Sequence, residues 1–285
     1  MTILVTGGNG QLGSALRLAS AESNHCYVFT DVEELDITSA AAVEAFFERE
    51  KVDVVVNCAA YTAVDLAEEN EAQADLINHR AVALLAGACK QQNATLIHIS
   101  TDYIFSGEAD APYKEDAEPS PLGVYGRTKL LGERAIAESG CKHIILRTAW
   151  LYSGFGRNFF KTMQSLTATR EEVRVVADQI GTPTYAGDLA AAITYIINSE
   201  QLGKCGIYHY TNEGVCSWYD FACEIARLSG HTACKVTPCT TEEYPTKAHR
   251  PRYSVLDKSK LIATFGLAIP EWRESLKGIF DLPTE

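Results

Sequence analysis

Three glycines spaced Gly7-x-x-Gly10-x-x-Gly13 constrain this chain more than any other feature, because of where they stand. They follow the apolar run Thr2-Ile3-Leu4-Val5 and open the stretch Gln11–Ala21, whose apolar positions recur with helical spacing. Glycine permits a tight turn, close approach of a ligand to the backbone, and close packing of a helix on a strand. A turn between strand and helix also leaves the helix's first N–H groups free, and with the helix dipole they can hold a pyrophosphate. The glycine pattern alone would be an ordinary turn. Between an N-terminal strand and an amphipathic helix it predicts a dinucleotide site built from Gly7, Gly10, Gln11, Leu12 and Gly13.

The first half of the chain repeats the same alternation. Ile3–Val5, Cys26–Thr30, Val52–Asn57, Leu96–Ser100 and His143–Thr148 read as strands. Gln11–Ala21, Ser39–Glu50, Ala72–Gln91 and Tyr125–Glu138 read as helices, the second with capping residues in Asp36-Ile37-Thr38-Ser39. Runs that are apolar on both faces mean a parallel sheet covered on each side, so the fold class is α/β, a doubly wound, Rossmann-like sheet. Past Tyr152 the regularity breaks. Val173–Ala177 and Gly206–Thr211 read as strands, Gly187–Asn198 and Ser217–Leu228 as helices, and Thr237–Ser254 mostly as loop. With 285 residues and ~100–200 per domain, the expected division is a dinucleotide-binding domain over 1–152 and a smaller, interleaved substrate lobe over 153–285. Residues 186–210 are expected to pack back on the first domain.

An acidic residue is expected ~20 residues beyond the glycines, at the end of the second strand, to bind ribose hydroxyls. Asp31 stands there, after Val28-Phe29-Thr30. Its charge would repel a 2′-phosphate and no arginine adjoins it, so the residues favour NADH over NADPH. Asp36 and Ile37 could border the adenine. Ala59, Ala60 and Tyr61 follow the third strand, where small residues leave room for a ribose.

Tyr125-Gly126-Arg127-Thr128-Lys129 gives Y-x-x-x-K, and on a helix residues i and i+4 share a face. An ammonium near a phenol favours the phenolate and brings a pKa of ~10 toward working pH, as a general acid/base requires. The pattern is common by itself. Here it follows a glycine-rich nucleotide site, begins a helix after the proline-rich Glu118-Pro119-Ser120-Pro121, and lies about 24 residues beyond a hydroxyl-bearing strand end, Ser100-Thr101. Ligands of such sheets gather outside the carboxyl ends of the strands. Thr101 can there hydrogen-bond a substrate carbonyl, or, more plainly, cap a turn.

Taken together, the glycine triplet, Ser100-Thr101 and Tyr125-x-x-x-Lys129 resemble the extended short-chain dehydrogenase/reductase superfamily. Several segments are similar, more narrowly, to the dTDP-4-dehydrorhamnose reductase family. They are Ala59-Ala60-Tyr61-Thr62-Ala63-Val64-Asp65, Ser100-Thr101-Asp102-Tyr103-Ile104-Phe105-Ser106-Gly107, Arg147-Thr148-Ala149-Trp150-Leu151-Tyr152, Asp178-Gln179-Ile180-Gly181-Thr182-Pro183-Thr184, and Arg250-Pro251-Arg252-Tyr253-Ser254. The resemblance implies hydride transfer from NADPH or NADH to C4 of a dTDP-linked 4-keto sugar. It implies Tyr125 as proton donor, Lys129 as the group that tunes Tyr125 and binds the ribose, and Thr101 on the keto oxygen. Asp102 and Trp150 would contact sugar or base, and an indole gives a flat apolar surface for either. Related dehydratases carry Asp-Glu after the threonine. Here Asp102 is followed by Tyr103, which disfavours dehydration. Some members dimerise through a metal held by a carboxylate just past the third glycine. Ser14-Ala15 offers none, so a homodimer is compatible with the resemblance but no metal is expected.

A net charge of −12 argues against nucleic acid or an anionic membrane as partner. No apolar run approaches the ~20 residues that span a bilayer. Nine scattered cysteines without C-x-x-C, and no charged-then-apolar leader before the first strand, lead to the expectation of a cytoplasmic protein with reduced packing thiols. His98 and His209 fall in strand patterns and are expected to be structural rather than metal ligands. The rival readings are another sugar-nucleotide 4-keto reductase or epimerase, and a non-catalytic dinucleotide-binding regulatory subunit, against which Thr101, Tyr125 and Lys129 speak.

Overall fold

The computed structural model describes residues 1–281. Its centre is a six-stranded, fully parallel sheet of β1 (Thr2–Thr6), β2 (Cys26–Thr30), β3 (Val54–Asn57), β4 (Thr95–Thr101), β5 (Lys142–Thr148) and β6 (Gly206–His209), in the order β6-β5-β4-β3-β1-β2. Side chains alternate across a strand, and here both faces are apolar. Ile3, Val5, Val54, Val56 and Ile97 point to one core, Leu4, Val55 and Leu96 to another. The first core is closed by α1 (Gln11–Ala19) through Leu12, Ala15 and Leu16, and by α5 (Ala186–Asn198) through Leu189 and Ile193. The second is closed by α2 (Ala40–Arg49) through Val43, Phe46 and Phe47, by α3 (Ala81–Gln92) through Val82 and Leu85, and by Ile136 of α4 (Val124–Ser139).

After β1 the chain moves outward to β2, then returns past β1 to β3. The carboxyl ends of β1 and β3 therefore diverge at a topological switch point, where crevices of such sheets open. Residues 186–210 return to this body: α5 packs on α1, and β6 adds to β5 in parallel.

A third cluster gathers Tyr152, Phe160, Met163, Val173, Phe221, Trp272 and Leu276. It is built by helices Phe159–Thr169, Trp218–Leu228 and Trp272–Phe280 and by the parallel pair Glu172–Val176 with Lys235–Cys239. The helix expected over 72–91 is interrupted. Glu71–Asp75 leads into a π-turn at Leu76–Arg80 before α3 begins. The turn brings the backbone carbonyl of Asn78 against Gly132 of α4, where a Cβ would come within 2.3 Å. The Asn78 side chain is spent on both backbone polar groups of Tyr61 and on the Thr128 hydroxyl. The helices at Phe159–Thr169, Ser259–Phe265 and Trp272–Phe280 were not expected from periodicity; the first and last pack aromatic residues into this lobe, while Phe265 of the second packs with Tyr208 on the sheet core.

Candidate active site

A cleft of about 720 Å³ runs across the carboxyl ends of β1, β3 and β4. At one end lies the glycine turn. Gly7 has φ +66°, and a Cβ there would sit 2.7 Å from the Ala59 backbone nitrogen. A Cβ on Gly13 would meet the Gly7 carbonyl at 2.4 Å, so α1 starts as close to the turn as atoms allow. Gly10 precedes α1 without a capping side chain, which leaves the helix's first N–H groups facing the cleft beside Gly7, Gln11 and Leu12. This cradle, in which neither Gly7 nor Gly13 has room for a Cβ, fits a pyrophosphate. Gly13 itself does not line the cleft; its contribution is packing.

Asp31 follows β2 on the cleft wall. Its carboxylate accepts the Asn9 N–H at 3.1 Å and the Val32 N–H at 2.9 Å, which ties the end of β2 to the glycine turn. Asp36 and Ile37 line the same wall. Hydrogen bonds from Thr38, side chain first, hold the Asp36 carboxyl below its usual range. Ala59 and Ala60 line the floor. Tyr61, expected with them, does not. Asn78 clamps its backbone and its ring packs on Ala67, Ala74 and Val124, so Thr62 takes its place in the cleft.

Thr101, Asp102, Tyr125 and Lys129 converge at the other end. Thr101 accepts the Tyr103 N–H at 3.2 Å, capping a short 3-10 turn, and donates to Asp102 Oδ1 at 3.0 Å. It thus caps a turn and faces the cleft at once. Ser100, in contrast, donates its hydroxyl to Glu133, the buried partner of Arg147 at 2.7 Å. Asp102 is 2% exposed, and burial pushes its carboxyl up to about 6, opposed by the hydroxyls of Ser254 and Thr101. Its Oδ2 makes no well-formed hydrogen bond among the described residues.

Tyr125 and Lys129 differ from expectation in their partners. Both line the same end of the cleft, and each finds partners on β4. Burial pushes the Tyr125 phenol up to about 12, and the Thr101 hydroxyl, not Lys129, opposes that rise. Lys129 donates to the Ile99 carbonyl at 2.6 Å and lies 3.4 Å from His98 Nε2. A buried ammonium must find acceptors, and the sheet end supplies them. Burial brings Lys129 down to about 8, with Glu133 and Cys58 opposing.

Trp150 closes this end. It adopts φ +49°, uncommon for a side chain of its size, and its ring stacks on Trp218 with centroids 3.7 Å apart and planes 14° from parallel. Gly181 lies beneath the indole, where a Cβ would meet it at 2.7 Å. Sequence reading missed Trp218, Phe159 and Asn158, all on the cleft wall. Gln11 joins them to the sheet, accepting from Asn158 at 2.8 Å and from Ser153 at 3.0 Å. No local pattern marks these residues, because they approach only when the small lobe docks.

The family model described as RmlD substrate binding domain matches residues 1–283. The chain is 41% identical to dTDP-4-dehydrorhamnose reductase of Aggregatibacter actinomycetemcomitans, over 97% of each chain. The chain belongs to the dTDP-4-dehydrorhamnose reductase family. Among solved members, the enzyme of Clostridium acetobutylicum superposes with a TM-score of 0.95 at 48% identity, over 99% of each chain. That of Bacillus anthracis, solved in complex with NADP, gives 0.94 at 38% identity over 98% of each. This family's Rossmann-like body is the one described above. Among the described residues no helix is long and apolar enough to cross a membrane, and no cluster of three or more His, Cys, Asp or Glu could hold a metal.

Proposed function

We propose that this chain reduces the C4 carbonyl of dTDP-4-dehydro-L-rhamnose to give dTDP-L-rhamnose, using NADPH or NADH. The observation that carries the reading is the meeting of the Thr101 hydroxyl and the Tyr125 phenol at one end of a cleft whose other end is the glycine cradle. When bound, the reduced nicotinamide supplies the hydride. Gly7, Gly10, Gln11, Leu12, Asp31, Asp36, Ile37, Ala59 and Ala60 would hold the dinucleotide, with Gly13 setting the turn. Thr101 would orient the keto oxygen. Tyr125 would give its proton to the oxygen as hydride reaches C4. A phenol held near 12 is fully protonated at neutral pH, which is the form a reduction consumes. Lys129, one helical turn on, would contact the ribose and balance the phenolate that remains. Asp102 and the Trp150–Trp218 pair would border the sugar nucleotide. Residues 1–152 with 186–210 would form the dinucleotide-binding unit and the rest mainly the substrate lobe. The nine cysteines, all free, fit a reducing cytoplasm.

The test follows loss of reduced-nicotinamide absorbance with enzymatically prepared dTDP-4-dehydrorhamnose. Turnover is expected, and Tyr125→Phe should lower kcat by roughly 10²–10⁴-fold while dinucleotide affinity stays within a few fold. Absence of turnover in protein that binds the dinucleotide would overturn the reading in favour of another sugar nucleotide or a regulatory role.

A further inference from the structure

Beneath the cleft, three neighbouring strands carry a row of polar side chains. Thr6 of β1 pairs in register with Asn57 of β3, and Asn57 with His98 of β4. None is more than 1% exposed. The adjacent row in the same strands, Val5, Val56 and Ile97, is wholly apolar. Thr6 Oγ1 donates to Asn57 Oδ1 at 2.7 Å, Asn57 Nδ2 lies 3.0 Å from His98 Nδ1, and His98 Nε2 lies 3.4 Å from Lys129 Nζ. Three buried polar side chains are costly unless all are bonded, and this row terminates on one atom, the amine of Lys129.

Hydroxyl, carboxamide and imidazole can each donate at one end and accept at the other, so the row has two self-consistent polarities. In the first, Asn57 Nδ2 donates to His98 Nδ1. The histidine proton then sits on Nε2 and points at Nζ, which accepts it as a neutral amine. In the second, the carboxamide is turned over and His98 donates from Nδ1 to Asn57 Oδ1. Nε2 then accepts from Nζ as an ammonium. His98 itself does not charge, because burial and the neighbouring Lys129 hold its pKa well below the usual range. It would change tautomer instead.

We propose that His98, oriented by Asn57 and Thr6, is a positioning residue that lets Lys129 carry either protonation state without leaving its place on the Ile99 carbonyl. The proposal rests on Lys129 serving the reduction described above. The other titratable groups facing Lys129 are Glu133 and Tyr125 on its own helix, Arg147 of β5, which is paired to Glu133, and Cys58 just past β3. Among the described side chains His98 alone lies within hydrogen-bonding distance of Nζ, and its ring can act as donor or acceptor.

The test reads the lysine directly, in whole protein labelled with ¹³C at the lysine ε-carbons, with the Lys129 signal assigned by its loss in Lys129→Gln. His98→Leu removes the acceptor of the ammonium and should lower the Lys129 titration midpoint by about one pH unit, tenfold in the ratio of charged to neutral amine. His98→Gln, which keeps a donor and an acceptor, should recover part of the shift. Asn57→Asp forces the histidine proton onto Nδ1 and adds negative charge, so it should raise the midpoint by a similar amount. Midpoints equal to wild type in His98→Leu and Asn57→Asp would overturn the proposal. If His98→Leu does not fold, Asn57→Asp decides, with anything but an upward shift counting against it. No substrate enters this measurement. Shifted midpoints in a protein without turnover would therefore refute the reductase reading alone, and turnover with unmoved midpoints would refute this one alone.

Discussion

Gly13→Ala makes a sharp test of the dinucleotide cradle, because the added atom has a defined place to go. Its Cβ would stand 2.4 Å from the Gly7 carbonyl oxygen and 2.6 Å from the Gly8 Cα, both backbone atoms of the turn. To reach even a 3.0 Å contact, the turn and α1 must separate by about 0.6 Å. Overpacking of this size costs about 1–3 kcal/mol. The same displacement moves the N–H groups that face the cleft, and since about 1.4 kcal/mol is tenfold in affinity, dinucleotide binding should weaken roughly 10–100-fold. Isothermal titration with NADPH and NADH measures the binding loss, and thermal unfolding of the ligand-free protein measures the stability loss. Gly87→Ala is the control. Gly87 lies inside α3 with nothing within 4 Å of a new Cβ, so the identical chemical change should stabilise the protein by about 0.5–1 kcal/mol and leave binding alone. Wild-type affinity and wild-type unfolding in Gly13→Ala would refute the close-packing argument.

Two further outcomes follow from the cleft walls. Asp31→Ala should weaken NADH more than NADPH, changing the preference by roughly tenfold through the loss of a charged hydrogen bond of about 1.5 kcal/mol; an unchanged ratio of the two dissociation constants would remove Asp31 from the ribose site. Asp102 carries a pH signature. Its folded pKa of about 6 lies above its ordinary 3.8, so the folded chain holds this proton where the unfolded chain has lost it. The group therefore costs stability as pH rises from about 4 to 6, by about 3 kcal/mol in all. Asp102→Asn should be the more stable protein at pH 7, with the gap closing toward pH 4. Parallel urea-unfolding curves at the two pH values for both proteins would contradict this.

How much could be read without coordinates depended on how local each interaction is. The glycine turn, α1 and the β-branched runs of the sheet follow from spacing and periodicity, because the forces that select them act between residues a few positions apart. Asp31 could be anticipated for the same reason: the end of β2 lies beside β1 by the rules of parallel crossover. Tyr125 and Lys129 were placed on one helix face by a four-residue spacing, yet their partners were not. The phenol finds Thr101 and the amine finds Ile99 and His98, from a strand that the chain had left before α4 began. Tyr61 was misplaced because a π-turn, invisible to periodicity, turned Asn78 onto its backbone.

What the amino-acid sequence by itself determined is the doubly wound body, the position of its nucleotide turn and the helix that carries the tyrosine and lysine. Tertiary structure alone decided the opposite wall of the cleft, where Trp150 meets Trp218 and Gln11 meets Asn158, and the charge environment of Asp102, Tyr125 and Lys129. The physical reason is that periodicity records which face of an element is buried. The pKa of a group and the wall of a pocket depend instead on which distant segments bury it, and that is set only when those segments pack together.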